Sequence, residues 1–298
     1  MKEPFIVSSY IIMSDFAIVT ATVSNGGIDF MFNSAKREGW EPGLMDLKSF
    51  ILIDPNGFFI AKKGDEIIGC VSGIRYDDFY GFIGYYIVIP EQRGRGYGML
   101  LFMHAMRYLG TRNIGLDGVL QQVDNYAKVG FRTCHLTARY QGTTTIDIST
   151  DDHCFLVPCS SLHFSDLTEY DRRHFPAWRD PWTKSWLDGS IQNLYSAAFV
   201  NNGVVGGFGI LRPSVTGYRV GPLFADTPAI AKQLLNWLLS QIPVGTLYYL
   251  DIPLSNRCGI EILENATHIF NTQRMYTSGE PGNVRWGEVY ACSSLELG

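Results

Sequence analysis

Apolar and polar positions along the first half of the chain separate into segments typical of strands and of helices. Runs of β-branched and aromatic residues predict strands at 16–23, 57–63, 66–72, 82–89, 114–119 and 131–140. The segments between them predict helices at 28–37, 45–51, 99–109 and 124–128. The resulting order, β-α-α-β-β-β-α-β-α-β, predicts an α/β (α+β) fold.

The second half repeats this order, beginning with a helical region at 161–187. A hairpin at 197–210, a strand at 218–224, a helix at 228–239 and a strand at 246–252 follow. Leu116-Asp117 and Leu250-Asp251 stand at corresponding strand ends. A polar segment at 141–152, rich in Thr, Ser and Asp, is the predicted linker. The sequence therefore predicts two domains of one fold, at 1–142 and 143–298.

Composition and charge narrow the class of protein. The 298 residues are 46% hydrophobic and 18% charged, which is typical of a globular protein with a large core. The net charge of -5 argues against general nucleic-acid binding, which needs a basic face. The start lacks a basic signal-peptide region, and the apolar stretch at 5–23 is too polar for a membrane span. We expect no nucleic-acid or membrane partner and a cytoplasmic location, with the nucleus as the alternative.

Cysteines and histidines give no sign of a metal site. The six cysteines form no C-x-x-C pair, and their spacings match no zinc pattern. The six histidines are equally scattered. We therefore expect free buried thiols and no metal.

A glycine-rich segment at 85–101 carries the strongest chemical signal in the chain. An apolar strand passes through Pro90 and three alternating glycines, Gly94, Gly96 and Gly98, and then becomes an apolar helix. Glycines allow consecutive N–H groups to point at one anion, and the helix N-terminus adds further donors. The spacing differs from G-x-G-x-x-G, and no Lys-Ser or Lys-Thr pair follows as in a P-loop. The segment predicts a phosphate-binding loop of another kind.

Two motifs together resemble a known family. Arg93-x-x-Gly96-x-Gly98, after a strand that ends in Val88-x-Pro90, resembles motif A of the GCN5-related N-acetyltransferases (GNATs). In that family the loop holds the pyrophosphate of coenzyme A. The segment at 125–131 resembles the tyrosine-bearing segment at the end of many GNAT domains. The resemblance implies tandem GNAT folds with mixed, mostly antiparallel sheets, flanked by helices and splayed at the motif A strand.

The resemblance also implies one cofactor site per chain. After the corresponding strand of the second half, residues 225–228 read Ala-Asp-Thr-Pro and contain no glycine loop, so the second domain is expected to be a degenerate copy. The implied co-substrate is acetyl-CoA. The implied contacts are Tyr86, Ile87, Val88, Arg93, Gly94, Arg95, Gly96, Tyr97, Gly98 and Met99.

The implied chemistry assigns Tyr126 as the acid that protonates the leaving thiolate, and the Val88 N–H as the oxyanion donor. The base stays open. The carboxylates in suitable regions are Asp117, Glu41, Asp77 and Asp78. Trp40, in the loop that usually forms the acceptor wall, and Asp77 are candidate substrate contacts.

The expected function is direct acetyl transfer to an amine, with a small molecule as the expected acceptor. No cysteine stands where a covalent carrier would be expected. Two alternatives stay open: a non-catalytic acyl-CoA-binding or scaffold protein, and a protein-lysine acetyltransferase. The chain is expected to be a monomer or a homodimer.

Overall fold

The computed structural model describes residues 15–145, 155–187, 189 and 191–298. In the first half it has strands β1 (Phe16–Thr20), β2 (Phe58–Lys63), β3 (Glu66–Arg75), β4 (Tyr80–Val88), β5 (Asn113–Val119) and β6 (Arg132–Thr143). The helices of this half are α1 (Gly27–Arg37), α2 (Asp46–Phe50), α3 (Tyr97–Leu109) and α4 (Val123–Lys128).

The second half has strands β7 (Leu156–Pro158), β8 (Tyr195–Asn201), β9 (Val204–Pro213), β10 (Tyr218–Ala225), β11 (Leu247–Pro253), β12 (Thr267–Tyr276) and β13 (Val289–Ala291). Its helices are α5 (Phe164–Asp171), α6 (Asp180–Leu187) and α7 (Pro228–Ser240). The first fourteen residues and most of the predicted linker lie outside the described residues. The domain boundary predicted at 142/143 falls at the end of β6 and stays a prediction.

The pattern of apolar residues explains the local elements. Helix α1 buries Ile28, Met31 and Ala35 on one face, at the spacing of an amphipathic helix. The first strand is shorter than predicted. It ends at Thr20 because Asn25 Nδ2 donates to the Thr20 carbonyl at 2.8 Å, in the turn that leads into α1.

Strands of both halves form one continuous sheet, which the sequence did not predict. The thirteen strands of the described residues run in the order β1-β2-β3-β4-β5-β12-β6-β11-β10-β9-β8-β7, and β13 pairs with β10. Strand β6 was expected to close the sheet of its own half, but it lies between β12 and β11 of the other half. In return, β12 pairs with β5 of the first half. The predicted mixed, mostly antiparallel sheet is confirmed, with its closing strands exchanged.

Two buried ion pairs bind the exchanged strands in place. Arg274 of β12 donates to both oxygens of Asp117 on β5, at 3.0 and 2.6 Å. Arg139 of β6 donates in the same way to Asp251 on β11, at 2.7 and 2.8 Å. All four side chains are at most 1% exposed. A buried charge without a partner is costly, so each half requires the strand that the other half supplies.

The first half is splayed at the strand that carries the glycine loop, as predicted. Strands β4 and β5 pair in parallel only from Tyr80 to Ile83. Tyr85 has a φ of 47°, and the register against β3 shifts between Cys70 and Ser72, so β4 contains a β-bulge at this point. Beyond Ile83, no strand of the described residues pairs with the edge of β4 that faces β5, so this edge can pair with a ligand.

The equivalent opening in the second half is filled by the chain itself. Strands β10 and β11 pair in parallel only at Tyr218–Val220. Beyond this point β13 pairs with β10 at Leu223 and Phe224, and the Cys292 N–H donates to the Asp251 carbonyl of β11 at 2.8 Å. A strand of protein thus lies where the first half leaves a cleft.

The last described segment, residues 292–298, continues from β13 onto the first half. A Cβ on Gly84 would lie 1.8 Å from the carbonyl oxygen of Glu296, so only glycine permits this approach. The Tyr76 hydroxyl donates to the Leu297 carbonyl at 2.8 Å. The segment therefore lies against β4 at the residue where the splay begins.

We expect Gly84→Ala to lower the free energy of unfolding by about 1–3 kcal/mol, because overpacking forces the backbone of the segment away from β4. Urea unfolding measures the change. Gly287→Ala is the matched control, since a Cβ at Gly287 has no atom within 4 Å, and its effect should be within about 0.5 kcal/mol. Equal stability of the two variants would contradict the packing described.

Candidate active site

The splay between β4 and β5 opens into a cavity of about 390 Å³ that both halves of the chain line. It extends from the glycine loop to the 292–298 segment. The predicted site residues that line it are Trp40, Tyr86, Ile87, Val88, Arg93, Gly94, Gly98, Asp117 and Tyr126.

The glycine loop leaves the N-terminus of α3 open. Gly94 and Gly96 have φ values of 74° and 86°, which glycine adopts without strain. Gly96 is the N-cap residue of α3, and among the described residues no side chain caps the helix there. The N–H groups of the first turn are consequently available to an anionic ligand. A Cβ on Gly98 would lie 2.5 Å from the Tyr86 hydroxyl, so glycine at this position leaves room for the Tyr86 side chain as it is placed.

The corresponding helix of the second half is closed. Thr227 Oγ1 accepts a hydrogen bond from the Ile230 N–H at 3.3 Å, and Pro228 has no N–H to offer. The Asp226 carboxylate stands beside this end of α7 and accepts from the Tyr170 hydroxyl at 2.8 Å. A capped helix end with a carboxylate beside it does not attract a phosphate group.

The Val88 N–H points into the cavity. The next N–H, that of Ile89, donates to the Ile68 carbonyl of β3 at 3.0 Å. Because successive N–H groups of a strand point to opposite edges, the Val88 N–H faces away from β3. The Val88 carbonyl faces the same way and accepts from Arg93 Nε at 2.7 Å.

Tyr126 reaches the cavity from α4. Its ring lies on Gly118 of β5, where a Cβ would be 2.6 Å from the ring, and packs against Phe102 with centroids 5.5 Å apart. Burial raises the pKa of Tyr126, and the neighbouring Tyr86 raises it further. The hydroxyl therefore stays protonated at neutral pH and can donate.

Comparison with known proteins identifies the family. Residues 28–131 match the model of the acetyltransferase (GNAT) family, and residues 167–291 match that of an acetyltransferase (GNAT) domain. The holothin acyltransferase of Pseudoalteromonas sp. strain SANK 73390 is 34% identical over 266 residues, which are 88% of either chain. The chain belongs to the GNAT superfamily. This GNAT chain matches its relative over both halves.

Solved structures show the same fold. A Pyrococcus horikoshii protein assigned to the acetyltransferases covers 98% of this GNAT chain and is itself covered to 98%, with a TM-score of 0.79 at 19% identity. A tandem GNAT protein from the clavulanic acid biosynthesis pathway has a TM-score of 0.58 at 12% identity, with 88% of this chain and 98% of that chain covered. The family match and the 34% identical relative, rather than these structures, show that the protein is a GNAT-type acyltransferase, and such enzymes generally use acyl-CoA.

The remaining loop residues assigned to the cofactor lie next to the cavity of this GNAT fold. The Tyr97 side chain is buried, with its ring 5.1 Å from that of Phe16, so only its backbone can face a ligand. Met99 is half exposed on the first turn of α3. Arg95 and Gly96 lie in the loop itself.

The carboxylates named from the sequence are placed differently from one another. Asp117 lines the cavity, but Arg274 occupies both of its oxygens. Glu41 accepts from the N–H and hydroxyl of Thr216, at 3.0 and 2.9 Å, in a loop of the second half. Neither Glu41 nor Asp77 is among the residues that line the cavity.

Asp77 and Trp40 have clear local contacts. Asp77 Oδ1 accepts from the N–H groups of Phe79 and Tyr80, at 2.8 and 2.6 Å, and so holds the turn before β4. Trp40 lines the cavity, and its carbonyl accepts from Arg139 Nη1. The structure therefore brings Trp40 to the cleft and leaves Asp77 in its turn.

The sequence alone does not identify several of the residues that line the cavity. They include Glu38 after α1, Phe270 and Thr272 on β12, and Leu295 and Glu296 in the last segment. Glu38 stands two residues before Trp40, so it could have been found from the sequence. The other four reach the cavity only through the strand exchange and the path of the last segment, which no motif reveals.

Among the described residues, no three His, Cys, Asp or Glu side chains cluster as a metal site would require. In the same part of the chain, every helix is too short or too polar to cross a bilayer.

Proposed function

We propose that this GNAT chain transfers an acyl group, with acetyl as the first candidate, from coenzyme A directly to the amine of a small-molecule acceptor. One observation carries the proposal. The uncapped N-terminus of α3 opens beside the free edge of β4, whereas the equivalent helix end is capped and the equivalent opening is filled in the second half.

The residues present fit an acyl-CoA donor. The amides that follow Gly94 and Gly96 can bind the pyrophosphate, and Arg93 adds a guanidinium suited to phosphate oxygens. The free edge of β4 can pair with the amide-containing arm of the donor, as another strand would. The Val88 N–H would then bind the oxygen on which negative charge develops, and Tyr126 would donate a proton to the leaving sulfur.

The acceptor side supports a small molecule. Trp40, Phe270 and Leu295 give the cavity apolar lining against which a small organic acceptor can pack. The relative from Pseudoalteromonas is named for acyl transfer to holothin. No cysteine stands among the described residues that line the cavity, which agrees with direct transfer without an acyl-enzyme.

Release of free thiol from acetyl-CoA, measured with a panel of small amines and with histone-like peptides, tests the proposal. Turnover of one or more small amines is the expected result. Turnover of peptides alone would support the protein-lysine alternative. Tight acetyl-CoA binding with no turnover of any amine would support the scaffold alternative, and absence of binding would contradict all three.

We expect Tyr126→Phe to lower kcat by about 10²-fold or more, because the leaving thiolate loses its proton donor. Affinity for acetyl-CoA should not change, since the ring still packs on Phe102. Tyr140→Phe is the control, because Tyr140 packs against His268 and does not line the cavity. Stopped-flow or steady-state thiol release gives kcat, and an unchanged kcat in Tyr126→Phe would contradict the role of the hydroxyl.

A further inference from the structure

Three carboxylates line the cavity among the described residues: Glu38, Asp117 and Glu296. Two of them are held by arginines. Arg274 occupies both oxygens of Asp117. Arg93 donates to Glu38 Oε1 at 2.5 Å, at the glycine-loop end of the cavity. Glu296 is the remaining carboxylate, and it lies at the opposite end.

Glu296 is oriented by its own turn. Its Oε2 accepts from the Ser294 hydroxyl at 2.6 Å, and Ser294 Oγ accepts in turn from the N–H groups of Glu296 and Leu297, at 2.9 and 3.3 Å. Oε1 accepts no hydrogen bond within the part of the chain that the structure describes. The nearest cation is Arg219 Nη1 at 3.8 Å, and that guanidinium contacts Asp251 more closely. One oxygen is therefore fixed and the other is free to accept.

Glu296 lies beside the part of β4 that borders the cavity. Its backbone lies against Gly84, where β4 leaves β5, and the bulge at Tyr85 follows directly. The residue is 3% exposed and lines the cavity, so the cavity is the route by which its carboxylate meets the acceptor and water. Charged and titratable groups face it from four strands: Tyr85, Arg212, Arg219 and Asp117. The two arginines are in turn paired with Asp46 and Asp251.

We infer that Glu296 is the base that takes the proton from the acceptor amine, an inference that rests on the proposed function. The amine nitrogen forms a bond to the acyl carbon, and the carbon–sulfur bond breaks with its electron pair going to sulfur. The acceptor enters as an ammonium ion, and Glu296 Oε1 takes its first proton before attack and releases it to solvent. The second proton passes from nitrogen to Glu296 Oε1 as the bond to carbon forms, and sulfur takes the proton of Tyr126. Glu296 and Tyr126 then return to their starting states through solvent.

The acceptor amine needs such a base because its neutral form is strongly disfavoured at neutral pH. An alkyl amine has a pKa of about 10.4, so holding it neutral at pH 7 costs roughly 4–5 kcal/mol. The segment that fills the opening of the second half thus also delivers a carboxylate to the first half. Through Glu296, the second half contributes directly to the chemistry at the cleft of the first half.

Glu296→Gln tests the inference. We expect kcat/KM for the amine to fall by about 10²-fold or more, with unchanged affinity for acetyl-CoA. The gap to the unmutated protein should narrow as the pH rises toward the pKa of the free amine, because solution then supplies the neutral amine. Glu288→Gln is the matched control, since Glu288 lies just before β13, pairs with His174 and does not line the cavity.

Glu296→Asp gives a second test that keeps the charge. It should retain the pH profile of the unmutated protein at a reduced rate, and acetyl-CoA affinity reports that each variant is folded. Wild-type kcat/KM in Glu296→Gln, or a pH-dependent loss in Glu38→Gln instead, would overturn the inference and leave acyl transfer standing. If the unmutated protein transfers acetyl to no amine, the proposed function falls, and the inference falls with it.

Discussion

Gly96→Glu is expected to weaken acetyl-CoA binding by about 10²-fold or more, equivalent to ~2.7 kcal/mol of binding free energy. Two effects add. Gly96 has a φ of 86°, and a side chain in the left-handed region costs roughly 1–2 kcal/mol. The new carboxylate would also stand at the N-terminus of α3, where it repels the pyrophosphate and competes for the same N–H groups. Isothermal titration with acetyl-CoA measures the loss.

Gly26→Glu separates the loss of ligand from the backbone strain. Gly26 is the N-cap residue of α1, has a φ of 71°, lacks a side-chain cap among the described residues and has no atom within 4 Å of its Cβ position. It therefore carries the same strain at a helix end outside the cavity. The control should lose a similar amount of stability and keep its affinity. Wild-type affinity in Gly96→Glu would refute the assignment of the loop.

Asp251→Ala is expected to lower the free energy of unfolding by about 3–5 kcal/mol, since it removes the partner of two buried guanidinium groups. Arg139 and Arg219 are at most 2% exposed, and both donate to Asp251. Arg139 lies on β6 and Arg219 on β10, so the variant leaves two charges inside the sheet with no carboxylate from Asp251. Urea unfolding, followed by circular dichroism, measures the change.

Lowering the pH should reproduce part of this loss of folding stability. Burial acts to raise the pKa of Asp251, but Arg139 and Arg219 outweigh it and hold the pKa below its ordinary value of 3.8. The carboxylate therefore stabilises the fold fully above pH 3.8, and that contribution disappears as the pH falls through the lowered pKa. In Asp251→Ala this component of the acid dependence should be absent.

Glu264→Ala is the control for the ion pair. Glu264 pairs with Lys232 at 2.7 Å, but the two side chains are 66% and 46% exposed. Exposed pairs contribute about 0–1 kcal/mol, so this variant should remain close to the unmutated protein. Equal losses in Asp251→Ala and Glu264→Ala would contradict the structural role given to the buried pair.

The elements and the glycine loop could be predicted because their causes are local. Helix α1 follows from the spacing of Ile28, Met31 and Ala35, and the loop follows from Gly94, Gly96 and Gly98 within five residues. Tyr126 follows from its own short segment. In each case the residues that decide the structure are neighbours in sequence.

The strand exchange and the acceptor side could not be predicted, because their causes are distant. From the sequence, Asp117 is a free carboxylate at a strand end. In the structure it pairs with Arg274, which is 157 residues away in sequence. From the sequence, Glu41 belongs to a predicted acceptor wall, whereas in the structure it accepts a hydrogen bond from Thr216. Glu296 has no motif at all, and its place depends on the path of β13 through the other half.

The exchange of β6 and β12 has a consequence for synthesis on the ribosome. When β6 emerges, neither of its neighbours in the sheet exists yet, and Arg139 has no carboxylate to meet. One edge of β5 stays unpaired until residues 267–276, which form β12, have been synthesised. The first half therefore cannot complete its sheet as an independent nascent domain. An exposed strand edge in that interval is open to pairing with another chain, and chaperone protection during translation would favour correct assembly.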